Sequence, residues 1–208
     1  MSALSTIPSR RQLSRERTRA EILDAAWELC RRGGLASLNL RELAAAVGMQ
    51  APSLYTHFGS KMEIYDAMFA QGYSAALAEL PAPVSTRSRA EADRRFRDWV
   101  RMFIDFCLAD TARYQLLFQR TIPGFVPSAA SMELANANLG RAREGLAQLG
   151  LGAPEALDLL TSVLTGLVDQ QISNDPGGQR WVRLTEDMLD MYLAFAIRRW
   201  RPSPARRS

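Results

Sequence analysis

From Ser14 to Trp200 the apolar residues recur every three or four positions, the spacing of one helix face, and no convincing stretch alternates polar and apolar side chains as a half-buried strand would. Chain-breaking residues punctuate this pattern at helix-sized intervals: Gly33-Gly34, Gly48, Pro81 and Pro83, Gly150-Leu-Gly152, Asp175-Pro-Gly-Gly178 and Pro202. The pattern predicts an all-α fold of about nine helices without an internal repeat. A length of 208 residues gives room for one or two compact domains with a real core.

Local signals place the elements. Ser14 is expected to cap a first helix carrying Ile22, Ala26, Leu29 and Cys30 on one face. Asn39 followed by Glu42, and Ser60 followed by Glu63, read as capping boxes, and Pro52 opens a short helix in a first turn, where its missing N–H costs nothing. The helix after Ser60 puts Tyr65, Met68, Phe69, Gly72, Tyr73 and Ala76 on one face. A Pro/Ser/Arg linker, Pro81 to Ala90, precedes a second set of helices. Its members are a stripe of Phe96, Trp99, Val100, Phe103 and Cys107, a short helix from Ala112 to Gln119, and, after a loop from Thr121 to Pro127, a helix capped by Ser128. A helix from Pro154 to about Asn174 and a last one ending before Pro202 complete the set.

Charge separates the chain into three blocks. The formal net charge is +4, from 26 Lys plus Arg against 22 Asp plus Glu. Residues 1–61 carry +4, residues 62–197 carry −5, and residues 198–208 hold five Arg and no acid. A basic first third on an acidic body suggests an anionic partner for that third, with nucleic acid the first candidate, against the plainer reading of a solvated surface. The single His57 and the isolated Cys30 and Cys107 leave no His/Cys cluster for zinc, and both thiols read as buried small hydrophobes. No Gly-rich phosphate loop or nucleophile elbow accompanies His57, so neither a catalytic residue nor a metal or cofactor is expected. Apolar runs such as Leu159 to Val168 are too short to span a bilayer, and no signal-type block follows the N-terminus, which points to a cytoplasmic protein without membrane contact.

The segment Asn39 to Lys61 carries the functional signal. Two short helices joined by a Gly-containing turn form a helix-turn-helix, in which the first helix braces the second so that it can enter the major groove of DNA. Leu40, Leu43, Ala44 and Val47 on the first and Leu54 and Phe58 on the second supply the apolar contact, and Gly48 permits the turn. Phe58 is expected in the core. The runs Ile22-Leu-Asp-Ala-Ala-Trp-Glu-Leu29, Asn39-Leu-Arg-Glu-Leu-Ala44, Val47-Gly-Met49 and Leu54-Tyr-Thr-His-Phe58 followed by Ser60-Lys61 resemble the DNA-binding domain of TetR/AcrR-type transcriptional regulators. The resemblance covers about sixty residues. Beyond them, helix count and the string Tyr114-Gln-Leu-Leu-Phe118 are loosely similar to the ligand-binding half of that family.

The resemblance implies roles by position. Tyr55, His57 and Lys61, the only Lys in the chain, match phosphate contacts, Lys61 beside the N-terminus of the following helix. Gln50, Ala51, Ser53 and Thr56 fall where bases are read, and Arg41 is a further phosphate candidate. Gln50 stands where the family usually has a Ser or Thr cap, and Ala51 where a polar or basic residue is common, so readout leans on fewer hydrogen bonds, on thymine methyls and on DNA shape. Arg10, Arg11, Arg15, Arg17 and Arg19 are either a solvated tail or an arm following the DNA backbone. The domains expected are a flexible basic arm (1–14), the helix-turn-helix domain (15–62), a ligand-binding and dimerisation domain (63–200) and an Arg-rich tail (201–208).

In the second half, Trp99, Met102, Phe103, Phe106, Tyr114, Phe118, Phe125, Met132, Leu164 and Leu167 either line an apolar cavity or fill an ordinary core, and Gln171 either orients a ligand or faces solvent. Leu160, Leu164, Met188, Met191 and Phe195 are expected at a homodimer interface built as a four-helix bundle. The function expected is that of a homodimeric repressor of a pseudo-palindromic double-stranded operator, released by a small apolar effector. The competing reading is a helical ligand carrier or interaction module without DNA binding.

Overall fold

The computed structural model describes residues 9–201. The first eight residues of the expected arm, and the Arg-rich tail from Pro202, lie outside the described residues. Among those described, the chain is all-α, with nine α-helices and two short 3-10 turns. The helices are α1 (Arg10–Gly33), α2 (Leu40–Ala46), α3 (Ala51–Leu54), α4 (Lys61–Glu79), α5 (Arg89–Ala109), α6 (Thr111–Phe118), α7 (Ala129–Gln148), α8 (Pro154–Asn174) and α9 (Thr185–Trp200).

Caps decide where these helices begin. α1 starts a turn earlier than expected, because the Ser9 hydroxyl accepts the Gln12 N–H at 3.3 Å while the Gln12 side chain accepts the Ser9 N–H at 2.7 Å. Ser14 cannot compete: three residues on stands Arg17, which has only donors to offer. Arg10, Arg11, Arg15, Arg17 and Arg19 therefore sit on a helix rather than on a free arm. Asn39 caps α2 by accepting the Arg41 N–H at 2.9 Å, but Glu42 returns no bond among the described residues. Ser60 caps α4 through the Glu63 N–H at 3.1 Å, and the Glu63 carboxylate accepts the N–H of Gly59 at 2.7 Å, one residue before the reciprocal position. Ser88, Asp110 and Ser128 cap α5, α6 and α7 in the same way, each contributing about 1 kcal/mol. The last helix is not continuous from Trp181; a 3-10 turn, Val182–Leu184, precedes α9.

α1, α2 and α3 pack around Ile22, Ala26, Leu43, Leu54 and Phe58, all essentially inaccessible to solvent. α4 carries the chain from this head into the body, and its expected stripe, Tyr65, Met68, Phe69, Gly72, Tyr73 and Ala76, is buried throughout. The Tyr65 hydroxyl donates to the Leu35 carbonyl beneath the head, and that of Tyr73 to the Leu117 carbonyl of α6 at 3.1 Å. α7 lies along α4 and holds it at two places. The Asp66 carboxylate accepts the Ser128 N–H at 2.7 Å, and Arg141 donates to the Leu77 and Leu80 carbonyls at 2.7 and 2.5 Å, closing the open end of α4. A second tie joins head to body: Arg31 of α1 donates twice to Asp110, the N-cap of α6, at 2.8 and 2.9 Å. No described helix is long and apolar enough to cross a membrane.

Candidate nucleic-acid interface and effector cavity

The turn after α2 passes through Gly48 at a φ of +68°, a conformation that a side chain would strain. It delivers α3 with Leu54 inward and Gln50, Ser53, Tyr55 and Thr56 in solvent, Tyr55 at 52% exposure. Arg41 is exposed on the first turn of α2, while Ala51, His57 and Lys61 are half-buried. The helix is shorter than the expected run, only four residues, and Gln50 gives it no side-chain cap. After Leu54 the chain tightens into a turn, with the His57 and Phe58 N–H groups both donating to the Leu54 carbonyl at 3.0 Å. The Thr56 hydroxyl donates to the Ser53 carbonyl at 2.7 Å, so toward a base edge it can only accept.

Two arginines of α1 close this turn from behind. Arg15 donates to the Thr56 carbonyl at 3.3 Å and Arg19 to the His57 carbonyl, and the Arg19 guanidinium also covers the Phe58 ring. These contacts satisfy carbonyls that a helix end leaves open. From the sequence these arginines read as either a solvated tail or an arm, and the contacts were missed; their spacing of four residues on one helix face was the available signal. Lys61 donates to the Ala36 carbonyl at 3.4 Å and lies 5.5 Å from the centroid of the Tyr65 ring, keeping further donors free. The Nδ1 of His57 is buried without a hydrogen-bond partner.

The body holds a partly open cavity of about 340 Å³ between α4, α5, α6, α7 and α8. Trp99, Phe103, Phe118 and Leu164, four of the expected pocket residues, line it. Trp99 and Met102 also line an adjoining cleft of about 160 Å³, and Phe118, Phe125 and Met132 another of about 290 Å³. The remaining expected pocket residues lie outside these linings. Phe106 is buried under the Arg113 guanidinium, 3.7 Å from its ring, and Leu167 is buried in the core of the body. The Tyr114 hydroxyl donates to Asp169 at 2.8 Å; burial, and then that bond to the carboxylate, push its phenol well above the usual range. Gln171 is buried rather than solvated, lines a separate cleft of about 350 Å³ and folds the turn before α9. Its amide N–H donates to the Asp175 carbonyl, and its oxygen accepts the Trp181 and Val182 N–H groups at 2.9 and 3.2 Å. Tyr73 and Asn138 line the cavity without having been expected there.

Residues 22–68, which span this braced pair of helices, match the family model for bacterial regulatory proteins of the tetR family. Over 186 residues the chain is 29% identical to the class A tetracycline repressor protein of transposon 1721 from Escherichia coli, covering 85% of this chain and 77% of that protein. Residues 22–68 carry a tetR-family segment. It is also 28% identical over 124 residues to the HTH-type transcriptional activator FasR of Mycolicibacterium smegmatis, an alignment covering 60% of this chain and only 56% of the activator. Among solved structures, NalD, the secondary repressor of the MexAB-OprM multidrug efflux pump in Pseudomonas aeruginosa, shares the fold at a TM-score of 0.60 and 20% identity, covering 88% of this chain and 96% of that one.

The expected dimer stripe divides. Leu160 and Leu164 are buried at 1% and 2% exposure in the chain's own body, because the α8 stripe they share with Leu157 and Leu167 faces α5 and the cavity. The outward side of α8 carries Asp158, Ser162 and Gly166 instead. Met191 and Phe195 of α9 remain exposed, at 63% and 41%, and Met188 is half-buried.

Proposed function

We propose that this DNA-binding transcriptional regulator is a homodimeric repressor that leaves a pseudo-palindromic operator when a small, mostly apolar effector occupies the cavity of the body. The observation carrying the DNA half of this reading is the row of exposed Gln50, Ser53, Tyr55 and Thr56 on an element backed by Arg15 and Arg19. A rigid backing fixes these side chains before DNA arrives, which reduces the ordering cost of binding. Tyr55, Lys61, Arg41 and the outer nitrogen of His57 would meet phosphates; Gln50, Ala51, Ser53 and Thr56 would face base edges.

The effector half rests on a partly open, aromatic-lined space beside the helix that leaves the head. Tyr73 of α4 lines the cavity and donates to α6, so an occupant that favours one arrangement of α4 and α6 would bias the head. The exposed Met191 and Phe195 would meet their copies across a two-fold axis, and the two recognition elements would then sit about 34 Å apart, one helical turn of DNA. The names of the tetracycline repressor and NalD support repression. That of FasR favours a second reading, activation, which uses the same head.

The test is a titration of operator and random DNA at several salt concentrations. Lys61→Ala should weaken both and lower the slope of log affinity against log salt by about one. Tyr55→Phe should weaken both by severalfold, the loss of one hydrogen bond of about 1 kcal/mol. Unchanged affinity in both variants sinks the phosphate assignment, and an absence of DNA binding at low salt leaves the carrier reading. A promoter fusion with and without the regulator separates repression from activation.

A further inference from the structure

The first half of α1 buries almost nothing. Residues 9–17 are all exposed, Leu13 at 50%, and the first fully buried side chain of the helix is Ile22, about three turns in. Packing of the core therefore does not account for this projecting stretch. It carries Arg10, Arg11, Arg15 and Arg17 against a single acid, Glu16.

Two contacts set its direction. Arg19 donates to the His57 carbonyl, and Arg15, one turn nearer the helix start, donates to the Thr56 carbonyl at 3.3 Å. Moving toward the start of α1 thus moves back along the recognition element, from its buried end at Phe58 toward the exposed Tyr55. Arg11 stands one further turn on, about 6 Å beyond Arg15. Positions 11, 15, 18 and 22 share one helix face, and at Ile22 that face enters the core of the head. Arg11 therefore faces the side on which the recognition element lies, beyond its edge and in solvent. Side chains of a helix lean toward its start, which carries the Arg11 guanidinium further out. Arg17 is turned roughly 120° from Arg11 around the helix and pairs instead with Glu21.

We propose that Arg11 is a DNA contact: it takes a phosphate beside the one met by Tyr55, so that the projecting turns of α1 form a second grip on the backbone of the same duplex. Charge and position favour this occupant, since the stretch is net basic and continues the proposed DNA face past Thr56. A guanidinium fork suits phosphate oxygens, and a helix already formed has no segment to order on binding. The contact extends the DNA-binding reading above and rests on it.

The probe is a labelled random-sequence duplex of about 30 base pairs, titrated with the full chain by fluorescence anisotropy between about 50 and 200 mM salt, because a phosphate contact is blind to sequence. Arg11→Ala should weaken binding about five- to tenfold near 0.1 M salt and lower the slope of log affinity against log salt by about 0.9 per bound chain. Arg11→Lys, which keeps the charge, should restore the slope. Arg17→Ala removes the same charge from another face and should change the slope by less than half as much. The unfolding midpoint of Arg11→Ala should match wild type, since the side chain is exposed. A wild-type slope in Arg11→Ala, an equal loss in Arg17→Ala, or no recovery in Arg11→Lys would overturn the proposal and leave DNA binding by the head in place. A lowered midpoint with a wild-type slope assigns Arg11 to the fold and also overturns it. No binding by the wild-type chain at the lowest salt takes down the DNA reading and this contact together.

Discussion

Arg19 lays its guanidinium 3.9 Å from the centroid of the Phe58 ring and donates to the carbonyl of the neighbouring His57. One side chain of α1 thus holds both the apolar underside and the backbone end of the recognition element. Arg19→Ala would strip a cation–π contact and leave a carbonyl unpaired, at a combined cost of about 1 to 2 kcal/mol. DNA affinity should fall severalfold on operator and random sequence alike, because the loss lies in ordering the element rather than in reading a base. Arg19→Lys, which keeps charge but not the planar fork, should recover part of it. Chemical denaturation with fluorescence anisotropy on labelled DNA checks both effects; full DNA affinity in Arg19→Ala would refute the bracing role.

Gly72 lets α4 approach α6 closely. A Cβ at this position would stand 2.9, 3.2 and 3.3 Å from Cδ2, Cδ1 and Cγ of Leu117, so the whole leucine side chain would have to turn. Overpacking of this kind costs roughly 1 to 3 kcal/mol, and better helix propensity returns about 1 kcal/mol. Gly72→Ala should therefore lower the melting temperature by a few degrees and, because Leu117 lines the cavity, change its shape. Combining it with Leu117→Ala tests the contact: the pair should cost less than the two single losses added, and strict additivity would place the strain elsewhere.

Burial pushes the Cys30 thiol from 9.0 up to about 11, with the nearby Lys61 and Arg31 charges pulling the other way, and it raises the Tyr65 phenol from 10.0 to about 12. The fold favours the protonated form of each group. Stability from Cys30 is therefore complete below pH 9, where the unfolded thiol also stays protonated, and is lost as pH rises through 11. Tyr65 extends the loss from pH 10 towards 12. The melting temperature should drop by several degrees between pH 9 and 11, and Cys30→Ala should make that drop shallower despite a lower starting value. A curve for Cys30→Ala running parallel to wild type throughout this range would exclude the thiol as the cause.

The sequence was most legible where one residue decides an outcome alone. Pro154 opens α8, Ser60 caps α4, Gly48 takes the turn, and each stands where its chemistry required. Legibility failed at the start of α1, where Ser14 is expected to cap the helix but lacks the acceptor three residues on that Gln12 supplies to Ser9. It failed again where a face had to choose its neighbour. Leu160 and Leu164 form an apolar stripe whatever it meets, and only the assembled body shows that it meets α5 and the cavity rather than solvent. The outward residues of the recognition element follow from local spacing, whereas the backing by Arg15 and Arg19 depends on how α1 crosses it.

The Arg31–Asp110 pair adds a mechanical constraint to the one supplied by α4. The head is fastened at several points: by the chain running into α4, by this ion pair, by Trp27 donating to Gln71 at 2.8 Å and by the Tyr65 hydroxyl on the Leu35 carbonyl. Asp110 is also the N-cap of α6, whose far end lines the cavity. A body held at several points follows its support as one piece, so in a dimer a shift of the α6 wall would displace the whole head rather than the recognition element alone.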